Sequence, residues 1–505
     1  MTPLFLSFLS GFIALSYELL WYRAFSTASG GTADAFGLLL GAYLGGLALG
    51  SWGAARACRD ANPSLRPARL RILGWLTLAG NVAGFLLVPV FARLLTRGYS
   101  WRALTALVGP ASLGLGTVFP LVTHLWIEPD GTVGRRVSAI YLANILGSTA
   151  GSLLTGFVFM DRATFGTLSV AAGALGAGMA ALVFAAAPAG RSKIAGLVAA
   201  AAAGLLMAAA GPRLFDRLYE RLQFKSGFTP ETRFAHVVET KSGVITVTPD
   251  GRIFGGGIYD GAFNTSLRDG INTILRAYAL AELHPAPKDV LMIGLSSGSW
   301  ATVVANHPGV ERLTIIEINP GYLQLLPKFP AVSALLSNPK VRIEIDDGRR
   351  WLTRNRDRRF DAIVSNTTFH WRSNGSNLLS REYLDLIRSH LKDGGVYYFN
   401  TTGSARVQVT SARAFPHALR IMGFLALSES PIRMNLDRLR ETLWTYPWEG
   451  TTALDRSDPV DRARMDKLIA GLAGELEPRE SILARGAALS DITDDNMGTE
   501  WSDRP

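Results

Sequence analysis

At 505 residues the chain has room for about two or three domains. Its single cysteine, Cys58, excludes an internal disulfide framework and a cysteine-rich metal site. The net charge of +10 accompanies a high mean hydropathy of +0.19, with the apolar residues crowded into the first part. Basic loops beside membrane helices account for such a charge, and no nucleic-acid partner is expected.

A membrane span needs about 20 apolar residues. In chain order, spans are predicted at 4–25, 35–55, 70–95, 101–127, 137–160, 164–187 and 193–211. Met1-Thr2-Pro3 carries no basic residue and the apolar run behind it is long enough to span, so no cleavable signal peptide is expected. Small residues recur at four-residue spacing (Gly37, Gly41 and Gly45; Gly46 and Gly50; Gly147 and Gly151), a pattern that lets helix backbones approach closely in lipid. Glu18, Arg23, Asn81, His124 and Asn144 lie within or beside spans and are candidates for a role in conduction. The loop holding Arg56, Arg59, Arg66, Arg69 and Arg71 is expected in the cytoplasm, and with it the N-terminus. Seven spans would then export the rest of the chain. The alanine-rich 193–211 segment reads as the weakest span; placed on the surface, it leaves six spans and a cytoplasmic C-terminal domain. The expected location is the inner (plasma) membrane, multi-pass.

Beyond residue 212 the chain turns charged. Strand composition at 237–239 and 244–247, the Pro249-Asp250-Gly251 turn and Gly255-Gly256-Gly257 predict a small β-unit, followed by a helix around 271–283. Strands are then predicted at 290–293, 313–317, 341–345, 360–364 and 395–400, alternating with helices near 299–306, 320–326, 380–391 and 411–421. The tail after Asp458 reads as helical, then polar. The domains implied are 1–212 (six or seven membrane helices), 213–283 (linker and β-unit), 284–458 (nucleoside-binding) and 459–505 (helix and tail). The fold class is an N-terminal α-helical transmembrane bundle plus a C-terminal α/β Rossmann-like domain with a small N-terminal β-unit.

The chemistry is expected at the carboxyl ends of the strands. The strand Val290-Leu291-Met292-Ile293 runs into Gly294-Leu295-Ser296-Ser297-Gly298, and the next strand ends in Glu317, 19 residues after Gly298. A small-residue turn lets backbone N–H groups approach a ligand, and an acid at the end of the second strand can accept both ribose hydroxyls. Gly294, Ser296, Ser297, Gly298, Glu317, Asp346, Asp347 and Gly348 are therefore candidate nucleoside-binding residues. Asp347 is also well placed as a helix N-cap.

These residues, with His284-Pro285-Ala286-Pro287-Lys288, Asn377-Leu378-Leu379-Ser380-Arg381-Glu382-Tyr383 and the 493–500 tail, resemble the spermidine synthase family. More closely, with Tyr17-Glu18-Leu19-Leu20-Trp21 and Gly45-Gly46-Leu47-Ala48-Leu49-Gly50-Ser51, the chain is similar to bacterial multi-pass membrane proteins carrying such a domain. The resemblance implies aminopropyl transfer from decarboxylated S-adenosylmethionine to an amine such as putrescine, with Glu317 on the ribose and Asp347-Gly348 at the adenine. It also implies a possible homodimer through the catalytic domain. No metal site is expected, because the seven histidines are scattered without ligand spacing. The candidate catalytic positions are Asp260, Asn366 and His370.

The chain departs from the family's pattern. Ser297 and Asn366 stand where the family has aspartates, Thr367-Thr368-Phe369-His370-Trp371 replaces a stretch with another, and Asn264 stands for a glutamine. A diamine and a sulfonium are both cationic and call for carboxylates. An amine nucleophile must also lose a proton, which Asn366 cannot accept and His370 could. Trp371 could stack on the donor or the amine, and Arg372 would repel a polyamine. Three functions are carried forward. They are aminopropyl transfer to an amine or lipid-linked acceptor, S-adenosylmethionine-dependent methyl transfer to a membrane or hydrophobic substrate, and a non-catalytic sensor or transporter of an adenosyl metabolite or polyamine.

Overall fold

The computed structural model describes residues 2–60, 62–284, 286–366, 369–448 and 451–502. Two compact units divide the chain: residues 1–244 with 256–258, and residues 245–255 with 259–505.

The first unit is helical: α1 (Thr2–Ser29), α2 (Ala33–Ala57), α3 (Arg66–Thr96), α4 (Trp101–Leu104), α5 (Val108–Gly116), α6 (Val118–Trp126), α7 (Val133–Phe157), α8 (Phe165–Ala185), α9 (Arg191–Leu214) and α10 (Leu218–Phe224). Seven helical segments among the described residues are long and apolar enough to cross a membrane. The expectation that 193–211 is the weakest of them is corrected. The window within α9 has a hydropathy of 2.1, the highest of the seven, because its alanines are apolar and Leu197, Val198, Leu205, Leu206 and Met207 stand among them. The irregular segment is the fourth, split into α4, α5 and α6. Pro110 and Pro120 each lack the N–H that would bond four residues back, and the helix breaks just before each of them, at 105–107 and at Thr117. The Gly116 carbonyl, released by Pro120, accepts Ser51 Oγ at 2.9 Å instead.

Glycine sets the seam between α1 and α7. A Cβ at Gly11 would strike the Asn144 carbonyl, one at Gly147 the Phe8 carbonyl, and one at Gly151 the Phe12 carbonyl. At that distance side chains cross the seam. Ser7 Oγ donates to the Ile140 carbonyl at 2.9 Å, Asn144 Nδ2 to the Ser7 carbonyl at 3.1 Å, and Ser16 and Thr155 share a bond of 2.9 Å. Asn144 is thus helix glue. Gly46 and Gly50 likewise meet backbone of α5, whereas Gly37, Gly41 and Gly45 face open space. Asn81 is fully buried: its side-chain amide donates to the Thr77 carbonyl, and its backbone carbonyl accepts the Tyr17 hydroxyl at 3.1 Å. Arg23 ends its reach on the Thr240 carbonyl.

The strands begin with β1 (His236–Thr240), β2 (Gly243–Val247), β3 (Arg252–Gly255) and β4 (Ile258–Ala262). There follow β5 (Asp289–Ile293), β6 (Arg312–Glu317), β7 (Val341–Ile345), β8 (Phe360–Ser365), β9 (Leu391–Asn400), β10 (His417–Ile421) and β11 (Phe424–Ser428). A two-residue hairpin, β12 (Pro447–Trp448) with β13 (Thr451–Thr452), and β14 (Leu476–Pro478) complete them.

In the second unit β2 pairs antiparallel with β3. The main sheet has the order β14-β10-β11-β9-β8-β5-β6-β7. β9, β8, β5, β6 and β7 are parallel, and β11, β10 and β14 add an antiparallel edge. The chain winds outward from β5 to β7 and then returns to β8 on the other side of β5. The switch point therefore lies at the carboxyl end of β5, where a ligand crevice opens in such sheets. The core strands are almost fully buried, which is why they read as continuous apolar runs.

Two predicted helices differ. The 411–421 helix is Ala405–Ala414, capped by Ser404 Oγ, and residues 417–421 are β10. Met422 and Gly423, both at positive φ (49° and 84°), make the two-residue turn into β11. The 271–283 helix is broken into short pieces, and Asn272 at φ 63° interrupts its first turn. The tail includes a strand, β14, as well as the expected helix Pro459–Ala473.

Candidate functional site

The turn after β5 is built from unusual backbone. Gly294 (φ 92°), Ser296 (φ 50°) and Gly298 (φ 77°) all lie in the left-handed region, which bends the chain sharply into the helix Ser299–Asn306. Glu317, only 4% exposed, holds this turn. Its Oε2 accepts the Leu295 N–H at 2.7 Å and its Oε1 the Asn319 N–H at 2.7 Å. Burial pushes the Glu317 carboxyl up to about 7, against the pull of those N–H groups and with a further push from Asp260.

Asp260, on β4, is the second carboxylate. Its Oδ2 accepts the Tyr322 hydroxyl at 2.5 Å, and its backbone carbonyl accepts Ser296 Oγ at 2.6 Å, which ties β4 to the turn. Burial raises Asp260 to about 6, opposed by the Tyr322 hydroxyl, the Arg372 charge and Ser296. Arg372 Nη1 donates to the Gly255 carbonyl at 3.2 Å. A Cβ on Gly255 would lie 2.7 Å from the Tyr322 hydroxyl and 3.6 Å from Asp260 Oδ2, so the guanidinium is anchored on the residue that borders this pair.

The neutral replacements have structural work. Ser297, 3% exposed, donates to Ser299 Oγ at 3.0 Å. Ser299 Oγ in turn donates to the Ala262 carbonyl at 2.8 Å and accepts the Asn264 N–H at 3.1 Å. Asn264 folds its amide onto its own loop, donating to the Ser266 and Ile271 carbonyls. Asn366 Oδ1 accepts from Asn400 Nδ2 at 3.3 Å. The side chains of Ser297, Asn264 and Asn366 are neutral, so they add dipoles and no charge.

The loop after β8 is pinned from two sides; Thr367 and Thr368 lie outside the described residues. His370 Nδ1 meets Thr402 Oγ1 at 2.6 Å, and the His370 backbone N–H donates to the same oxygen at 3.2 Å. Trp371 stacks on Phe369, with ring centroids 5.6 Å apart. The tail holds the far side: Glu500, 2% exposed, accepts the N–H groups of Asn374 and Ser376 at 2.9 Å each, and Thr499 Oγ1 donates to the His370 carbonyl at 2.7 Å. Arg349 grips Asp494 at 2.8 and 2.6 Å and donates to the Asn377 carbonyl at 3.1 Å.

Asp347 caps the helix Gly348–Arg354, its Oδ1 accepting the Arg350 N–H at 2.8 Å. Asp346 pairs with Arg350 and Arg354. A Cβ at Gly348 would meet Ile293 Cγ2 at 2.5 Å, so only glycine lets this helix start against β5. Asp347, Arg349, Arg350, Thr353, Arg354 and Asn377 line an open cavity of about 450 Å³.

Of the candidates read from sequence, the structure gathers Gly294, Ser296, Ser297, Gly298, Glu317 and Asp260 about one turn, with Ser296 bonded to the Asp260 carbonyl and Glu317 to the Leu295 N–H within the turn. Asp346 and Asp347 are occupied by arginines and a cap. Sequence reading missed Tyr322 and Glu500. Tyr322 is signalled by Asn319-Pro320-Gly321, a turn that returns the chain to Glu317. Glu500 has no local signal, since its partners are about 125 residues away.

Residues 277–430 match the family model of the spermine/spermidine synthase domain. A polyamine aminopropyltransferase of Desulforudis audaxviator is 28% identical over 199 residues, which cover 38% of this chain and 69% of the relative. A spermidine synthase of Dictyostelium discoideum is 32% identical over 114 residues, 22% of this chain and 39% of the relative. Among solved structures, the spermidine synthase from Thermotoga maritima is 18% identical (47% of this chain, 88% of that chain, TM-score 0.35). Human methyltransferase-like protein 13 in complex with SAH is 16% identical (39% and 90%, TM-score 0.27). The chain therefore carries, after a region of long apolar helices, a C-terminal domain that matches the spermine/spermidine synthase domain.

Proposed function

We propose that the C-terminal unit is a membrane-bound transferase. It moves the aminopropyl group of decarboxylated S-adenosylmethionine to an amine, small or lipid-linked. The observation that carries this reading is Glu317, a buried carboxylate at the end of β6 bonded to the 294–298 turn. An adenosine ribose fits against its remaining lone pairs, beside backbone N–H groups.

The acceptor nitrogen attacks the aminopropyl carbon next to the sulfonium, in line with the C–S bond. The N–C bond forms, the C–S bond breaks, and neutral methylthioadenosine leaves with the electron pair. The amine's proton passes to a base, and Asp260 suits the task. It is ionisable near neutral pH, with its carboxyl raised to about 6, and Tyr322 fixes it in place. His370, whose Nδ1 is engaged by Thr402, is the second candidate base through Nε2. Trp371 offers a π-face to the cationic donor. Positioning supplies much of the rate, because a sulfonium is already a good leaving group. The neutral Ser297 and Asn366 favour methyl transfer as the second reading.

Product analysis by mass spectrometry tests the assignment. Protein in detergent receives decarboxylated or intact S-adenosylmethionine with amines and a lipid extract. Methylthioadenosine from the decarboxylated donor is the expected product. Adenosylhomocysteine from the intact donor would replace this reading with methyl transfer, and donor binding without either product would replace it with a sensor.

The donor is a cytoplasmic metabolite, so we place the catalytic unit in the cytoplasm. With the arginine-rich loop on the same side, one of the seven apolar segments must then not cross. Labelling by a membrane-impermeant maleimide of Cys58, and of a Ser457→Cys variant, reads the two sides directly. Protection of both in intact cells is expected.

A further inference from the structure

The amine that fits this site can be narrowed by charge. The donor of the proposed reaction brings a sulfonium and an ammonium. A diamine acceptor would add two more positive charges. Facing them are two carboxylates, Asp260 and Glu317, of which Glu317 already accepts two backbone N–H groups. Asp260 has the Tyr322 hydroxyl on Oδ2 and the permanent charge of Arg372 beside it. The guanidinium cannot drift off at no cost, because it donates to the Gly255 carbonyl, and its loop is held at Asn374 and Ser376 by Glu500. The turn and the end of β8 contribute only the neutral side chains of Ser297 and Asn366.

We infer that the acceptor carries no second ammonium: it is a primary amine whose other end is neutral or anionic, and Arg372 is the residue that makes this choice. The inference rests on the transferase reading above. One end of the acceptor meets Asp260, which takes its proton. The other end lies in the field of Arg372, where a second ammonium would be repelled and a carboxylate or phosphate attracted.

Three amines of equal length separate the cases: putrescine, n-butylamine and 4-aminobutanoate, whose far ends carry charges of about +1, 0 and −1 at neutral pH. The full chain in detergent is assayed with each, both for methylthioadenosine release and for calorimetric binding with methylthioadenosine present and absent. The expected order is 4-aminobutanoate, then butylamine, then putrescine, with the last about tenfold or more below the first. Arg372→Gln should shrink that ratio about tenfold and Arg372→Lys should keep the order. A preference for putrescine in the parent, or a ratio unmoved in Arg372→Gln, overturns the inference. Failure of all three amines and of the lipid extract to yield methylthioadenosine would instead sink the transferase reading. The binding order would still decide the charge question.

Discussion

The two units use glycine for different physical reasons. In the helical unit the constraint is distance. Gly11, Gly147 and Gly151 have ordinary helical backbone, and a side chain there would run into a carbonyl of the neighbouring helix. In the second unit the constraint at the site is conformation, with Gly294 and Gly298 at φ values of 92° and 77° that other residues reach only with strain. The difference is the one expected if the long apolar helices of the first unit meet lipid. Apolar helices in lipid gain little from burying more apolar area and associate through close backbone approach. A ligand-binding turn needs N–H groups aimed inward, which an ordinary turn does not provide.

That contrast predicts graded effects. The largest is at Glu317, where the turn's geometry is secured. Glu317→Gln sets an amide N–H2 against a backbone N–H, and should cost about 3 kcal/mol of stability in the second unit and reduce donor binding by at least about 100-fold. Calorimetry with methylthioadenosine and thermal unfolding measure the two. Unchanged binding would detach the nucleoside from Glu317.

Next comes a matched pair in the helical unit. Gly147→Leu should destabilise the α1–α7 seam by about 1–3 kcal/mol, while Gly41→Leu, facing open space, should cost little. Detergent-resistance melts of both variants test this, and equal losses would erase the distinction. Gly294→Ala, in contrast, meets no such collision, its nearest neighbour being the Asn366 carbonyl at 3.3 Å. Its cost should be conformational, about 1–2 kcal/mol.

Asp260 makes a pH prediction with opposite signs for activity and stability. Its folded value near 6 lies above the ordinary carboxylate range, as does Glu317's near 7. Turnover that needs ionised Asp260 should fall as pH drops through about 6, by about tenfold per unit below it, and Asp260→Asn should lose that limb. In the folded unit both groups hold protons that the unfolded chain has already released. The stability they contribute is therefore present below about pH 4 and is lost as pH rises through 6 to 7. An activity profile flat from pH 5 to 7 would remove Asp260 from the chemistry. The smallest effect is at Asp347, where loss of the cap by Asp347→Ala should cost about 1 kcal/mol with little change in acceptor choice.

Much of the sheet is legible in the amino-acid sequence. β5, β6, β8 and β9 are apolar runs bounded by glycine or acid, and a parallel strand buried on both faces has no other way to be written. The β10–β11 hairpin is not legible there, because its turn is Met422-Gly423 and methionine at positive φ is no turn signal. β14 is three residues long, and pairing across more than fifty residues leaves no local trace. The site divides along the same line. Glu317 and the turn sit in a short stretch with a recognisable spacing, whereas the Glu500 contacts with Asn374 and Ser376 and the Arg372 contact with Gly255 are long-range, made only when distant segments close.

Glu317 carries one more consequence. Because both of its oxygens are employed by Leu295 and Asn319, the acid has a reason to stay even in a lineage that has given up the reaction. Drift at this position is checked by architecture first and by substrate second. Relatives that have changed trade should therefore keep the acid and diverge at side chains with lighter structural duties, such as the Trp371 ring and the Arg372 guanidinium. In such relatives a change of acceptor would then be sought at those two positions rather than at Glu317.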